Sequence, residues 1–259
     1  MRAPALGAHL RERRDAGAKL LVPYLMAGQC TDWVEVAQAL AAAGADAIEV
    51  GLPFSDPIMD GPIIQRAAEV ALQAGTTPAS VLAQLRHAEL GVPVVVMTYY
   101  NLVLRAGLDR MAGRLAEAGV AGVILADLPL EELDPWAEVA TPIGIETVLL
   151  LAPSTSPTRA ARIGQRTQGF CYAVGRMGVT GERQDLGPAV SEVTQLARSV
   201  TTAPVLVGVG VSTPAQAAEV ASVADGAIVG SALVRRLLEG AGPEVAAAFL
   251  TELRCAVDR

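Results

Sequence analysis

The sequence predicts an α/β chain folded as one closed (β/α)8 barrel. Eight short runs rich in β-branched residues alternate with Ala- and Leu-rich segments whose apolar residues recur at spacings of three and four. At 259 residues the chain is close to the roughly 250 that such a barrel needs. Hydrophobic residues make up 52% of it but aromatic ones only 3%, so the core is built from Ala, Val, Leu and Ile. That composition suits parallel strands covered by helices better than a β-sandwich.

The elements follow in order. The N-terminal segment MRAPALGAHLRERRDAGAK interleaves charges with alanines and reads as a helix before the first strand, not as a signal peptide. The strand candidates are LLVPYLM from Leu20, AIEVG from Ala47, VPVVVMTY from Val92 and GVILAD from Gly122. IETVLLLA from Ile145, GFCYAV from Gly169, APVLVGVG from Ala203 and GAIVGS from Gly226 complete the set. Segments such as DWVEVAQALAAAG, GLDRMAGRLAEAG, LGPAVSEVTQLARSV and TPAQAAEVASV supply the helices. Three helix-to-strand junctions share a Gly or Asp where the helix ends: AGADAIEV, AGVAGVILAD and VADGAIVG. An open doubly wound sheet alternates in the same way. Against it, Leu20–Met26 runs into AGQCTDW with no Gly-rich phosphate turn, and no linker or composition break divides the chain. A single domain over residues 1–259 is expected.

Composition also bounds the function. A formal charge of −7 argues against non-specific nucleic-acid binding. The apolar runs are interrupted within about ten residues, too short to span a bilayer. Cys30, Cys171 and Cys255 are scattered and lack metal-ligand spacing, as in a protein with reduced thiols. A soluble cytoplasmic protein, with neither nucleic acid nor membrane as partner, is expected.

The stretch IEVGLPFSDPIMDGPIIQ, Ile48 to Gln65, concentrates the chemistry. Strand alternation puts Glu49 on one face with Ala47 and Gly51, and Ile48 with Val50 on the other. With the bulky pair facing the helices, Glu49 points into the barrel near the C-terminal end of its strand, where barrel enzymes keep catalytic groups. Apolar walls there raise a carboxyl pKa toward neutrality, as acid–base work requires. The competing reading is an ion pair with a Lys or Arg across the barrel. The following loop is stiffened by Pro53, Pro57 and Pro62 and carries Ser55, Asp56 and Asp60. SDP and DGP are also turn signals, in which Asp accepts from the backbone two residues on. For Asp56 the turn role is the expectation; Asp60 fits either. The two histidines, His9 and His87, lie away from any strand's C-terminal end, so acid–base work falls to carboxylates.

Late loops suggest an anion cradle. Glycines recur in Gly178–Gly181 after the sixth strand, Gly208–Ser212 after the seventh and Val229–Ser231 after the eighth. Barrels bind phosphate with such late loops and a helix N-terminus, and glycine lets backbone N–H groups approach the anion. Ser231 could cap the next helix or donate its hydroxyl. No lysine is near, so the backbone would act as a dipolar nest.

These residues carry a resemblance. EVGLPFSDPIMDGPIIQ resembles the signature of the tryptophan synthase alpha subunit family. MTYYN (Met97–Asn101), ADLPLEE (Ala126–Glu132), GRMGVTG (Gly175–Gly181), GVGVS and IVGSALV (Ile228–Val234) resemble that family in its order. The resemblance implies a TIM-barrel lyase that splits indole-3-glycerol phosphate into indole and glyceraldehyde 3-phosphate. It implies that Glu49 protonates indole C3 and handles the glycerol hydroxyl proton, and that Asp60 stabilises charge at the indole nitrogen and takes its proton. Tyr99 and Tyr172 match positions near the substrate. Gly181, Gly210, Gly230 and Ser231 match phosphate-binding positions. Arg176 and Thr180 match a closing loop, with Thr180 orienting Asp60. The resemblance also implies an α2β2 complex with a beta subunit, reached through the loop of Pro53 and Asp56. No cofactor is expected in this chain, and pyridoxal phosphate would belong to the beta subunit.

The chain departs from the family pattern at Met59, where a small residue is frequent, at Gln29-Cys30, and in the GRMG spelling of the closing loop. A stand-alone lyase releasing free indole and a catalytically silent regulatory subunit are the alternatives. The presence of both Glu49 and Asp60 speaks against the second.

Overall fold

A computed structural model of the chain describes residues 5–175 and 188–258. Eight parallel strands close into a barrel in chain order. They are β1 (Leu20–Met26), β2 (Ile48–Gly51), β3 (Val94–Thr98), β4 (Gly122–Leu125), β5 (Glu146–Leu151), β6 (Cys171–Val174), β7 (Val205–Gly208) and β8 (Gly226–Val229). β8 pairs back onto β1 with Leu20 opposite Gly226 and Pro23 opposite Val229, which leaves no free edge. Each strand falls inside the β-branched run that predicts it.

The helices are more numerous than strict alternation implies. Beside α2 (Trp33–Ala42), α4 (Pro78–Leu85), α6 (Leu108–Glu117), α7 (Asp134–Ala140), α8 (Pro157–Arg166), α9 (Pro188–Val200) and α10 (Pro214–Val223) stand several others. They are α1 (Leu6–Asp15) before the barrel, α3 (Pro62–Gln73), α5 (Tyr100–Ala106), and the pair α11 (Ser231–Leu238) and α12 (Pro243–Val257) after β8. Proline opens α3, α4, α8, α10 and α12, its fixed φ suited to a first helical turn. Thr77 and Thr213 form reciprocal capping boxes at α4 and α10.

Apolar side chains sort into two shells. Residues such as Ile48, Val50, Val96, Val123 and Val207 face outward against the helices. Inward, Val22, Ala47, Val95, Ile124, Phe170 and Ile228 fill the barrel. Leu6 and Leu10 of α1 join that inner cluster, so α1 plugs the N-terminal end. Glycine makes the room: a Cβ on Gly122 or Gly169 would lie 2.7 or 2.6 Å from Leu6 Cδ2. Glu146 at the start of β5 accepts from the Gly7 N–H at 2.8 Å, fixing the plug's first turn.

The expected Asp at helix-to-strand junctions has a visible purpose. Asp46 accepts from the Leu21 N–H at 2.8 Å and Asp225 from the Val205 N–H at 2.7 Å, each binding the neighbouring strand's start. At the other end of the barrel α3 lies over β1, its Ile64, Ala67 and Ala71 packing with Tyr24, Met26 and Val234. This lid of small residues keeps the loop before α3 beside the barrel mouth. Among the described residues no helix is long and apolar enough to cross a membrane.

Leu10 is fully buried in the plug. Leu10→Ala should therefore lower unfolding free energy by about 2–5 kcal/mol in urea titration. A loss below about 0.5 kcal/mol, the range of ordinary surface substitutions, would show that α1 is not part of the cooperative core.

Candidate active site

β2 exposes none of its residues to solvent, and alternation decides which of them faces the interior. Ile48 and Val50 join the outer shell while Ala47 joins the inner one, so Glu49 points inward, level with Tyr24 of β1 and Val95 of β3. Its residue is 1% exposed. Among the described residues no Lys or Arg pairs with it, and its Oε2 has no hydrogen-bond partner. The ion-pair reading of Glu49 is thus without support here. Burial, with a smaller push from the charge of Asp60, raises the Glu49 carboxyl to about 8.

Asp60 comes from a different element. The loop from Leu52 to Gly61 leads into α3, with Gly61 at the helix N-cap and Pro62 as the first helical residue. The Asp60 N–H donates to the Pro57 carbonyl at 3.1 Å, and Gln65 Nε2 donates back to the Asp60 carbonyl at 3.0 Å. Tyr99, at the N-cap of α5, is the loop's main anchor. Its ring stacks on Phe54 with centroids 4.9 Å apart, its hydroxyl oxygen accepts from the Met59 N–H at 3.0 Å, and it donates to the Asp60 carboxylate. Asp127 in turn accepts from the Tyr100 N–H at 2.7 Å and fixes the start of α5. Burial raises the Asp60 carboxyl to about 6, opposed by the Tyr99 hydrogen bond. At neutral pH the pair is therefore split, Glu49 mostly neutral and Asp60 mostly ionised.

The turn at Asp56 differs from expectation. Its main-chain carbonyl, not its side chain, accepts from the Ile58 N–H at 2.9 Å, and its carboxylate accepts from the Ser55 hydroxyl at 2.5 Å. Pro53 is buried inside the chain, whereas Ser55 and Asp56 are exposed, as are Ile58 (79%) and Met59 (53%). The Met59 side chain thus faces outward. Gln29 is buried, and Gly28 has a φ of +79° with its Cα against Thr76, so that turn requires glycine.

The late loops converge at the same end of the barrel. Gly210 takes a φ of +80°. Gly230, not Ser231, occupies the N-cap of α11, and its carbonyl accepts from the Leu233 and Val234 N–H groups at 3.0 Å each. Ser231, buried, is the first helical residue, so its N–H and that of Ala232 stand at the positive end of the helix. Tyr172 of β6 is half-buried and covers Gly208, where a Cβ would be 2.5 Å from its hydroxyl. Arg176, Thr180 and Gly181 lie outside the described residues.

Four site residues escape the sequence reading. Tyr24 follows Val22 on the inward face of β1, so the alternation that finds Glu49 also finds it. Phe54 and Gln65 lie inside the quoted motif but carry no ionisable group. Asp127 acts across chain segments, which no local pattern reveals.

The match to known proteins is extensive. The family model described as "Tryptophan synthase alpha chain" matches residues 10–256. A tryptophan synthase alpha chain of Streptomyces coelicolor is 46% identical over 234 residues, covering 89% of this chain and 86% of its own. That of Chloroflexus aurantiacus is 45% identical over 255 residues, covering 95% and 96%. Among solved structures, a Mycobacterium tuberculosis tryptophan synthase chain superposes with a TM-score of 0.91 at 41% identity, with 98% of each chain covered. The alpha subunit from Legionella pneumophila gives 0.87 at 33%, again with 98% of each covered.

The buried, unpartnered Glu49 carries a stability consequence. Its native carboxyl titrates near 8 instead of 4.5, so the native state holds a proton that the unfolded chain releases between those values. The sign follows: stability from this group is full below the lower value and is lost as pH rises through the higher one. Glu49→Gln should be as stable as the parent near pH 4, and more stable by about 2 kcal/mol or more near pH 9. Equal stability at both pH values would contradict an uncompensated buried carboxyl.

Proposed function

The chain belongs to the tryptophan synthase alpha chain family, and on that premise we propose that Glu49 and Asp60 together cleave indole-3-glycerol phosphate to indole and glyceraldehyde 3-phosphate. The role is that of the alpha subunit in tryptophan biosynthesis. The observation that carries the mechanism is the unequal setting of two acids from separate elements, Glu49 buried and unpartnered at Oε2 and Asp60 half-buried beside Tyr99.

The bond to be broken joins indole C3 to the carbinol carbon of the glycerol chain. Indole leaves poorly until C3 is protonated. Neutral Glu49 donates that proton, giving a cation whose charge is spread to the ring nitrogen. The Asp60 carboxylate faces the N1–H, stabilises the charge and takes the N1 proton as it develops. The C3–C bond then breaks, its electron pair returning to the ring, and the proton on N1 is restored. The Glu49 carboxylate removes the carbinol proton, so the O–H electrons form the aldehyde C=O and Glu49 is neutral again. Protons balance without net gain or loss. This is a carbon–carbon lyase reaction of retro-aldol type.

The phosphate is placed on Gly210, Gly230 and the Ser231 end of α11, where backbone amides and the helix dipole suit a dianion. Gly181 would extend that cradle, and Tyr172 the substrate wall. Tyr99 serves by holding Asp60, a task the resemblance gives to Thr180. Arg176 and Thr180 are assigned to a loop that closes over the site.

The exposed Ser55, Asp56, Ile58 and Met59, backed by buried Pro53, form the surface offered to a beta subunit in an α2β2 complex. Pyridoxal phosphate is assigned to that partner; each proton of the cleavage is carried by this chain's carboxylates. The complex is assigned to the cytoplasm, with its biosynthetic pathway.

Indole release from indole-3-glycerol phosphate tests this directly, alone and with a beta subunit. Cleavage rate should follow a bell in pH, falling below about 6 as Asp60 is protonated and above about 8 as Glu49 ionises. Glu49→Gln should lower kcat by about a thousandfold or more, in the range of lost general acid–base catalysis. Unchanged turnover in that variant would remove Glu49 from the mechanism. Full activity without the beta subunit would favour a stand-alone lyase.

A further inference from the structure

Tyr24 is a large polar side chain on the inward face of β1 with no role in the cleavage so far described. It is 6% exposed and stands level with Glu49 across the β1–β2 pair. Its orientation is fixed by two glycines. A Cβ on Gly230 would lie 3.7 Å from Tyr24 Cβ and Cδ1, so the base of the side chain is beside the N-cap of α11. A Cβ on Gly51 would lie 2.1 Å from the Tyr24 hydroxyl, so the tip covers Gly51, two residues beyond Glu49 on the same inward face. The ring thus runs from the anion end of the site to the acid end. Above it, Ala67 and Ala71 of α3 pack against it and hold it in that direction.

Among the described residues Glu49 Oε2 is buried and meets no hydrogen-bond partner. The Tyr24 hydroxyl lies over Gly51, on the same inward face two residues beyond Glu49. A carboxyl oxygen left unpartnered beside a phenol on the adjacent strand marks a place prepared for a polar group of the substrate. A substrate with its phosphate on α11 and its indole between Glu49 and Asp60 must lay its three-carbon chain along this ring. The chain's carbinol oxygen, next to indole C3, then falls at the hydroxyl end.

We propose that the Tyr24 hydroxyl donates a hydrogen bond to the carbinol oxygen of the glycerol chain, orienting its proton toward Glu49 and stabilising the oxygen as the aldehyde forms. This rests on the cleavage described above. Burial and the neighbouring charges of Asp60 and Glu49 push the phenol well above its usual range, so it remains a donor throughout. Because the bond strengthens as the carbinol proton leaves for Glu49 and negative charge builds on the oxygen, its loss falls mainly on kcat.

Tyr24→Phe removes the oxygen and keeps the ring, which preserves packing against α3 and β2. Two measurements on parent and variant decide the matter: cleavage of indole-3-glycerol phosphate, and the Kd of 3-(indol-3-yl)propyl phosphate, the same molecule without chain hydroxyls. The expected result is a loss of about tenfold in kcat/KM, the scale of one hydrogen bond, with the analogue's Kd within about twofold of the parent's. An unchanged kcat/KM in the variant overturns the inference and leaves the cleavage reading intact. Equal losses for substrate and analogue also overturn it, since the effect is then one of packing. A parent protein that releases no indole overturns the cleavage reading itself, and this inference with it.

Discussion

The site depends on one unfavourable placement, a carboxyl buried inside a barrel with no cation among the described residues to neutralise it. β2 is short, fully buried and strictly alternating, so the side chain of Glu49 is held inside the barrel, almost wholly out of water. In such surroundings the neutral acid is the stable form near pH 7, and a neutral acid is what protonation of a carbon requires. Asp60, half-buried and hydrogen-bonded by Tyr99, stays nearer the ordinary carboxylate range. Difference in environment, not in residue type, separates the two roles.

The rest of the architecture can be understood as support for that difference. The α1 plug and the inner apolar shell exclude water from below. The Asp60 loop is held by Tyr99, Phe54 and Gln65 through aromatic stacking and main-chain groups, with the Tyr99 hydroxyl also donating to the Asp60 carboxylate. Glycines at Gly51 and Gly208 let the tips of Tyr24 and Tyr172 lie flat on neighbouring strands, so the mouth keeps aromatic walls without closing. Gly230 and Ser231 place a helix N-terminus beside Tyr24, on the strand next to Glu49.

The barrel was legible because each strand is a compact β-branched run bounded by Gly, Asp or Pro, and period two leaves little choice of facing. Glu49 stood out as a charge in the middle of such a run, and alternation alone oriented it. The extra helices α3 and α5 were harder to read, since they follow β2 and β3 inside segments whose prolines and turn residues resemble loop. Ser231 as a cap was a reasonable local reading that failed because Gly230 already occupies the non-helical position. What Tyr99 holds needed contacts from another segment, Met59 and Phe54, to be seen, whereas at Asp56 the local carbonyl took the Ile58 N–H expected on the side chain. Tyr24 is not legible as a site residue because a tyrosine in a strand is ordinarily core, and only the glycines facing it show where its hydroxyl goes.

Carbon-13 NMR of the side-chain carboxyls, titrated from about pH 4 to about pH 10 and assigned with Glu49→Gln and Asp60→Asn, reads the two protonation states without reference to turnover. A Glu49 carboxyl titrating near 8 with Asp60 near 6 is expected. Both groups titrating in the ordinary range around 4 would mean that Glu49 is ionised at neutral pH and cannot be the acid that opens the reaction.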